Sequence, residues 1–274
     1  GVVERADRFE VWYFRHGCRV QGPGVSDQGS GARNRSRGAS VPPPSVRTTI
    51  LARHATIQHN PVMNPQIRYC TASDGVRIAY WTMGSGPALI HAPPTVFGHI
   101  AAELGLDGAR AWYERLALTH TLIRFDPRGC GASGRDGDIS LETFALDFEA
   151  VCDALELPAF AIFVGLMWVP AAITFAARVP QRLTHLVVWD GYARSSDRQH
   201  NSRLVATRTL IDQDWVGYTN AWAQTTFGWE HSSTAKAWAR AFSEATTPEH
   251  QRGRMKVFQN CDVTELLPQI TAPV

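Results

Sequence analysis

The run Ala159-Phe160-Ala161-Ile162-Phe163-Val164 is apolar without a break and leads through Gly165 into the alanine-rich stretch Ala171–Arg178. A short apolar run with no alternation reads as a strand buried on both faces, the kind found in parallel sheets sandwiched between helices. The rest of the chain from Met63 onward fits the same plan. Gln66–Thr71 and Val76–Met83 flank the turn Ser73-Asp74-Gly75 and read as a hairpin. Ala88–His91, Thr121–Phe125 and Leu183–Trp189 read as further strands. Gly108–Leu118 has helical spacing, and a helix starts at Ser140 with Phe144, Phe148, Val151 and Leu155 as its apolar stripe. Strands that alternate with helices after an opening hairpin predict an α/β fold, a mainly parallel sheet with helices on both faces. Sites in such sheets lie at the carboxyl ends of the strands.

One of those ends has a recognisable form. Phe163-Val164-Gly165-Leu166-Met167-Trp168-Val169-Pro170 sits where strand gives way to helix, the place of a Gly-x-Ser-x-Gly turn that lifts a serine above the sheet. Only the first glycine is in place. Counting from it, Met167 holds the nucleophile position and Val169 the second glycine. A thioether has no ionisable proton and does not replace a serine hydroxyl.

Two more loops complete a set: Leu89-Ile90-His91-Ala92-Pro93-Pro94-Thr95 after the third strand and Phe125-Asp126-Pro127-Arg128-Gly129-Cys130-Gly131-Ala132-Ser133 after the fourth. With the turn after the fifth, these make residues 66–191 resemble the core of the α/β-hydrolase superfamily. The wording of the loops, and the tryptophan-rich stretch behind them, is similar to hydrolase domains of longer bacterial chains that carry nucleotide-cyclase or DNA-binding regulatory domains. The resemblance implies an α/β-hydrolase fold with a helical cap over about residues 192–263 and a lead-in to the next strand at 264–274. It also implies truncation before the last two strands, with the catalytic acid and histidine beyond Val274. Asp190, at the end of the sixth strand, is an alternative acid position in this superfamily, and equally a residue capping a turn. The first oxyanion donor falls on Pro93, which has no N–H, leaving the Trp168 N–H. Losing one such donor raises a barrier by about 3 to 4 kcal/mol.

Other chemistries are disfavoured. Gly129-Cys130-Gly131-Ala132-Ser133-Gly134 satisfies Gly-x-Gly-x-x-Gly, yet Arg135-Asp136-Gly137-Asp138 intervenes before the next helix, so a pyrophosphate would lack its helix N-terminus. A tight turn in which Asp126, Arg128 and Ser133 satisfy backbone groups is the expected structure. There is no His-Glu-x-x-His and no carboxylate cluster, so neither a metal nor a cofactor is expected. A net charge of +2 argues against nucleic acid as partner of this domain. No apolar run is long enough for a bilayer. Five widely spaced cysteines without a Cys-x-x-Cys point to free thiols and a cytoplasmic setting. Residues 1–62 are rich in Arg, Gly and Pro, and are expected to be a disordered extension or sequence upstream of the true start.

Trp215, Tyr218 and Trp222 recur at helical spacing in the cap segment. They either pack the cap or line an apolar pocket. In the second case His91, Pro93, Thr95, Met167, Trp168, Trp189 and Trp222 are the expected ligand-binding residues. Two readings of function follow. One is a non-catalytic domain that binds a small apolar molecule and passes its state to a fused regulatory domain. The other is a partial or degenerate copy of a serine ester or epoxide-type hydrolase.

Overall fold

The computed structural model describes residues 64–197, 202–228 and 231–274. The 1–62 extension lies outside the described residues. Six strands, β1 (Arg68–Thr71), β2 (Arg77–Met83), β3 (Ala88–His91), β4 (Thr121–Phe125), β5 (Phe160–Gly165) and β6 (Leu183–Trp189), form one sheet in the order β1-β2-β4-β3-β5-β6. β1 to β2 and β2 to β4 run antiparallel, and the β3–β4, β3–β5 and β5–β6 pairs run parallel. The mainly parallel sheet read from the apolar runs is thus observed.

Helices cover both faces, as adjacent residues of β4 show. The Arg124 guanidinium lies over the ring of Tyr113 in α2 (Asp107–Ala117), while Phe125 meets Phe148 of α3 (Leu141–Ala154) edge-on at 4.8 Å. Successive strand residues point to opposite faces, so α2 and α3 flank the sheet. α1 (Ile100–Glu103) is a short turn inside the loop after β3. α4 (Val169–Arg178) stacks Phe175 on Phe148 and Phe160. From 202 onward the described chain is helical: α5 (Ser202–Ala206), α6 (Leu210–Gln213), α7 (Trp215–Phe227), α8 (Ser232–Ala245) and α9 (Pro248–Gln259).

The turn after β4 is structural, as its residues suggest. Ser133 Oγ donates to the Asp126 carbonyl at 2.6 Å and accepts from the Ala79 N–H at 2.8 Å. The Asp126 carboxylate accepts the N–H groups of Ile100 and Ala132 at 2.8 and 2.9 Å. Arg128 bridges Asp147 of α3 and Asp74 of the hairpin turn. Gly131 has φ 49°, and a Cβ there would sit 2.0 Å from the Asp126 carboxylate, so the turn requires glycine. No helix opens until Leu141, which Ser140 and Thr143 cap reciprocally.

β6 is an edge of the sheet, with Val187, Val188 and Trp189 exposed. Its Leu186 N–H donates to the Pro273 carbonyl at 2.9 Å, so the chain's last residues lie along this edge.

Candidate functional site

Gly165 closes β5 in an extended conformation, φ −136°, and Leu166 follows in the left-handed region at φ 55°. Residues Leu166–Trp168 form a 3-10 turn that runs into α4. A leucine in that conformation costs about 1 to 2 kcal/mol. In a strand-turn-helix site the strained residue is the one that carries the nucleophile. The positive φ thus falls on Leu166, one residue before Met167, the position that counting from Gly165 gives. Met167 is 3% exposed and belongs to the core. The smallness of Gly165 also serves the sheet. A Cβ on it would meet the Trp189 carbonyl at 3.1 Å, so it allows β5 and β6 to approach. Neither Leu166 nor Met167 offers an ionisable proton.

Trp168 stands where the turn would need a small residue, and its ring is completely enclosed. Its indole N–H donates to the Thr95 carbonyl at 2.6 Å, tying the turn to the loop after β3. Phe144 of α3 and Phe258 of α9 meet the indole edge-on at 5.0 and 5.1 Å. Thr95 in turn fixes its loop, its Oγ1 donating to the Phe97 carbonyl and accepting the Phe97 N–H. Phe97 stacks on Phe242 at 4.4 Å and meets Trp222 edge-on at 5.7 Å.

Of the residues expected to bind a ligand, Thr95 joins the Phe97 backbone to the Trp168 indole, Trp222 meets the Phe97 ring, and Pro93 is buried in the same loop. It places two elsewhere. Trp189 is on the outer edge at β6, 39% exposed. His91 lies between β3 and α2 with both ring nitrogens engaged. Nδ1–H donates to the Ala92 carbonyl at 2.6 Å and Nε2 accepts from Trp112 Nε1 at 3.0 Å. Burial, with the Arg124 guanidinium nearby, pushes this imidazole down to about 3, which favours its neutral form. Behind it, Arg124 bonds Glu103 and the His91 carbonyl, and the Tyr113 hydroxyl donates to Glu103 at 2.6 Å. Burial lifts the Asp126 carboxyl to about 7 against its two backbone donors.

Asp190 follows β6 in the left-handed region at φ 48° and is exposed. Aspartate tolerates that conformation, and among the described residues no histidine bonds to it, so the geometry here is that of a strand-end turn.

Arg254 escaped the sequence reading. It reaches from α9 to the carbonyls of Val96 and Gly129, in the loops after β3 and β4, and is fully buried. Nothing in Gln251-Arg252-Gly253-Arg254 separates a buried arginine from an exposed one; only the fold does.

Two surface hollows stand apart from this region. One of about 260 Å³ lies between α7 and α8 at Val216, Asn220 and Arg240, and one of about 400 Å³ lies at Gly75, Arg77 and Gly134. Among the described residues no group of three or more His, Cys, Asp or Glu is placed to hold a metal ion, and no helix is long and apolar enough to cross a membrane. Cys70, Cys130, Cys152 and Cys261 are free thiols.

No family model and no curated protein matches the chain. Solved structures do match in fold. A bromoperoxidase from Bacillus anthracis superposes with TM-score 0.60 at 14% identity, over 76% of this chain and 79% of that one. An esterase from Exiguobacterium antarcticum gives 0.62 at 15%, over 76% and 78%. A hydrolase from Pseudomonas aeruginosa gives 0.57 at 21%, over the same shares. The strand order, the strained turn after β5 and these likenesses lead to one conclusion: the chain has the α/β-hydrolase fold.

Proposed function

We propose that this chain is a non-hydrolytic domain on the α/β-hydrolase fold that holds a small, largely apolar molecule between the loop after β3 and the helices from 202 onward. The observation that carries the reading is Leu166 at the apex of the turn, where acyl transfer needs an ionisable side chain. Pro93 supports it, because the loop position expected to supply an oxyanion donor has no N–H. Thr95 and Trp222 are the residues proposed to touch the ligand. By its resemblance to regulator-linked domains, the chain would report occupancy to a fused output domain in a bacterial cytoplasm, and its free cysteines suit that compartment.

The second reading, a degenerate copy of an ester or epoxide hydrolase, draws on the esterases among the structural neighbours. Serine placed singly at Leu166 and at Met167 separates the two. The proposal expects no turnover of p-nitrophenyl esters from either variant, since the donor at Pro93 is still missing. Ester hydrolysis by Leu166→Ser would favour the degenerate hydrolase.

A further inference from the structure

Arg254 is a buried cation whose partners are all neutral. Its Nη1 donates to the Val96 carbonyl at 2.9 Å and Gln251 Oε1 at 2.8 Å, and its Nη2 to the Gly129 carbonyl at 3.3 Å and Thr246 Oγ1 at 3.4 Å. The Nε is buried with no partner. Arginine is almost never fully buried unless paired with a charge, because neutral acceptors satisfy its hydrogen bonds and leave its field uncompensated. Among the described residues the other fully buried arginines follow that rule: Arg124 pairs with Glu103, and Arg128 with Asp147 and Asp74. Among the described residues Arg254 has no carboxylate partner.

Its surroundings reinforce the imbalance. Gln251 Nε2 donates to the Tyr218 hydroxyl at 3.1 Å. Arg208 also has a buried Nε without a partner, and both guanidinium groups act electrostatically on Tyr218. The apolar neighbours are close in sequence and space. Val96, which accepts from Arg254, is followed by Phe97, whose ring meets Trp222 and stacks on Phe242.

We infer that the molecule held at this seam is a small monocarboxylate, its carboxylate serving as the missing partner of Arg254 and its apolar body lying against Phe97 and Trp222. The inference rests on the ligand-binding reading above and specifies the charge of the ligand.

Calorimetry on the 274-residue chain with phenylacetate and phenylacetamide, alike in shape and different in charge, tests it. Phenylacetate should bind about tenfold more tightly, the value of a charge-assisted hydrogen bond in a desolvated site. Arg254→Gln should reduce it to the level of the amide. Should that variant not fold, the Arg254 Nε–H resonance of the wild type serves instead, moving with phenylacetate and not with phenylacetamide. Equal binding of acid and amide, or an acid preference that survives Arg254→Gln or leaves the Nε–H resonance unmoved, overturns the inference and leaves the ligand-binding reading standing. Binding of neither compound overturns both.

Discussion

The indole N–H of Trp168 donates to the carbonyl of Thr95 at 2.6 Å, across 73 residues of sequence. This bond locks the turn after β5 to the loop after β3, with an enclosed tryptophan between them. Trp168→Phe keeps most of the ring and leaves the Thr95 carbonyl unpaired, which should cost about 1 to 3 kcal/mol. Trp168→Ala adds a cavity and should cost about 3 to 5 kcal/mol. Urea unfolding of both variants checks the order; a phenylalanine variant as stable as wild type would remove the locking role.

The turn itself distinguishes two neighbours. Leu166 is half-buried and left-handed, whereas Met167 is core. Leu166→Gly relieves about 1 to 2 kcal/mol of backbone strain against a similar loss of chain entropy and packing, so it should be nearly neutral. Met167→Gly loses buried side chain and should cost at least about 2 kcal/mol. Thermal unfolding of the pair reads the difference. The reverse order would return the apex to Met167.

His91 gives the domain an acid sensitivity. Its folded value, about 3, lies below the value near 6.5 of an unfolded histidine. The stability it contributes is therefore present above about pH 6.5 and is lost as pH falls toward 3. Protonation would also break the bond from Trp112 Nε1. The stability advantage of wild type over His91→Gln should shrink by about 2 kcal/mol between about pH 7.5 and pH 5. Denaturant titrations at the two pH values measure it, and a constant gap would show that His91 takes up its proton freely in the fold.

Much of this architecture was legible in the residues. Apolar runs such as Ala159–Val164 announced the buried strands, and Asp126, Arg128 and Ser133 announced a turn held by side chains. What stayed hidden was conformation and enclosure. A sequence does not show which residue of the turn after Gly165 takes a positive φ; the dihedral falls on Leu166. His91 was expected near a ligand because its loop lies at a strand end, yet its ring turns toward Trp112. Trp189 ends the apolar run Leu186–Trp189, which reads like a buried strand but sits on the edge. Arg254 carries no pattern at all, since burial of a charge depends on loops more than 100 residues away.

The central proposal is that this domain holds a small molecule without hydrolysing it. The most direct test is the release of p-nitrophenol from p-nitrophenyl butyrate by the purified chain. The account predicts a rate equal to that of buffer with heat-denatured protein. A saturable rate above that blank, lost when the protein is unfolded, would contradict it.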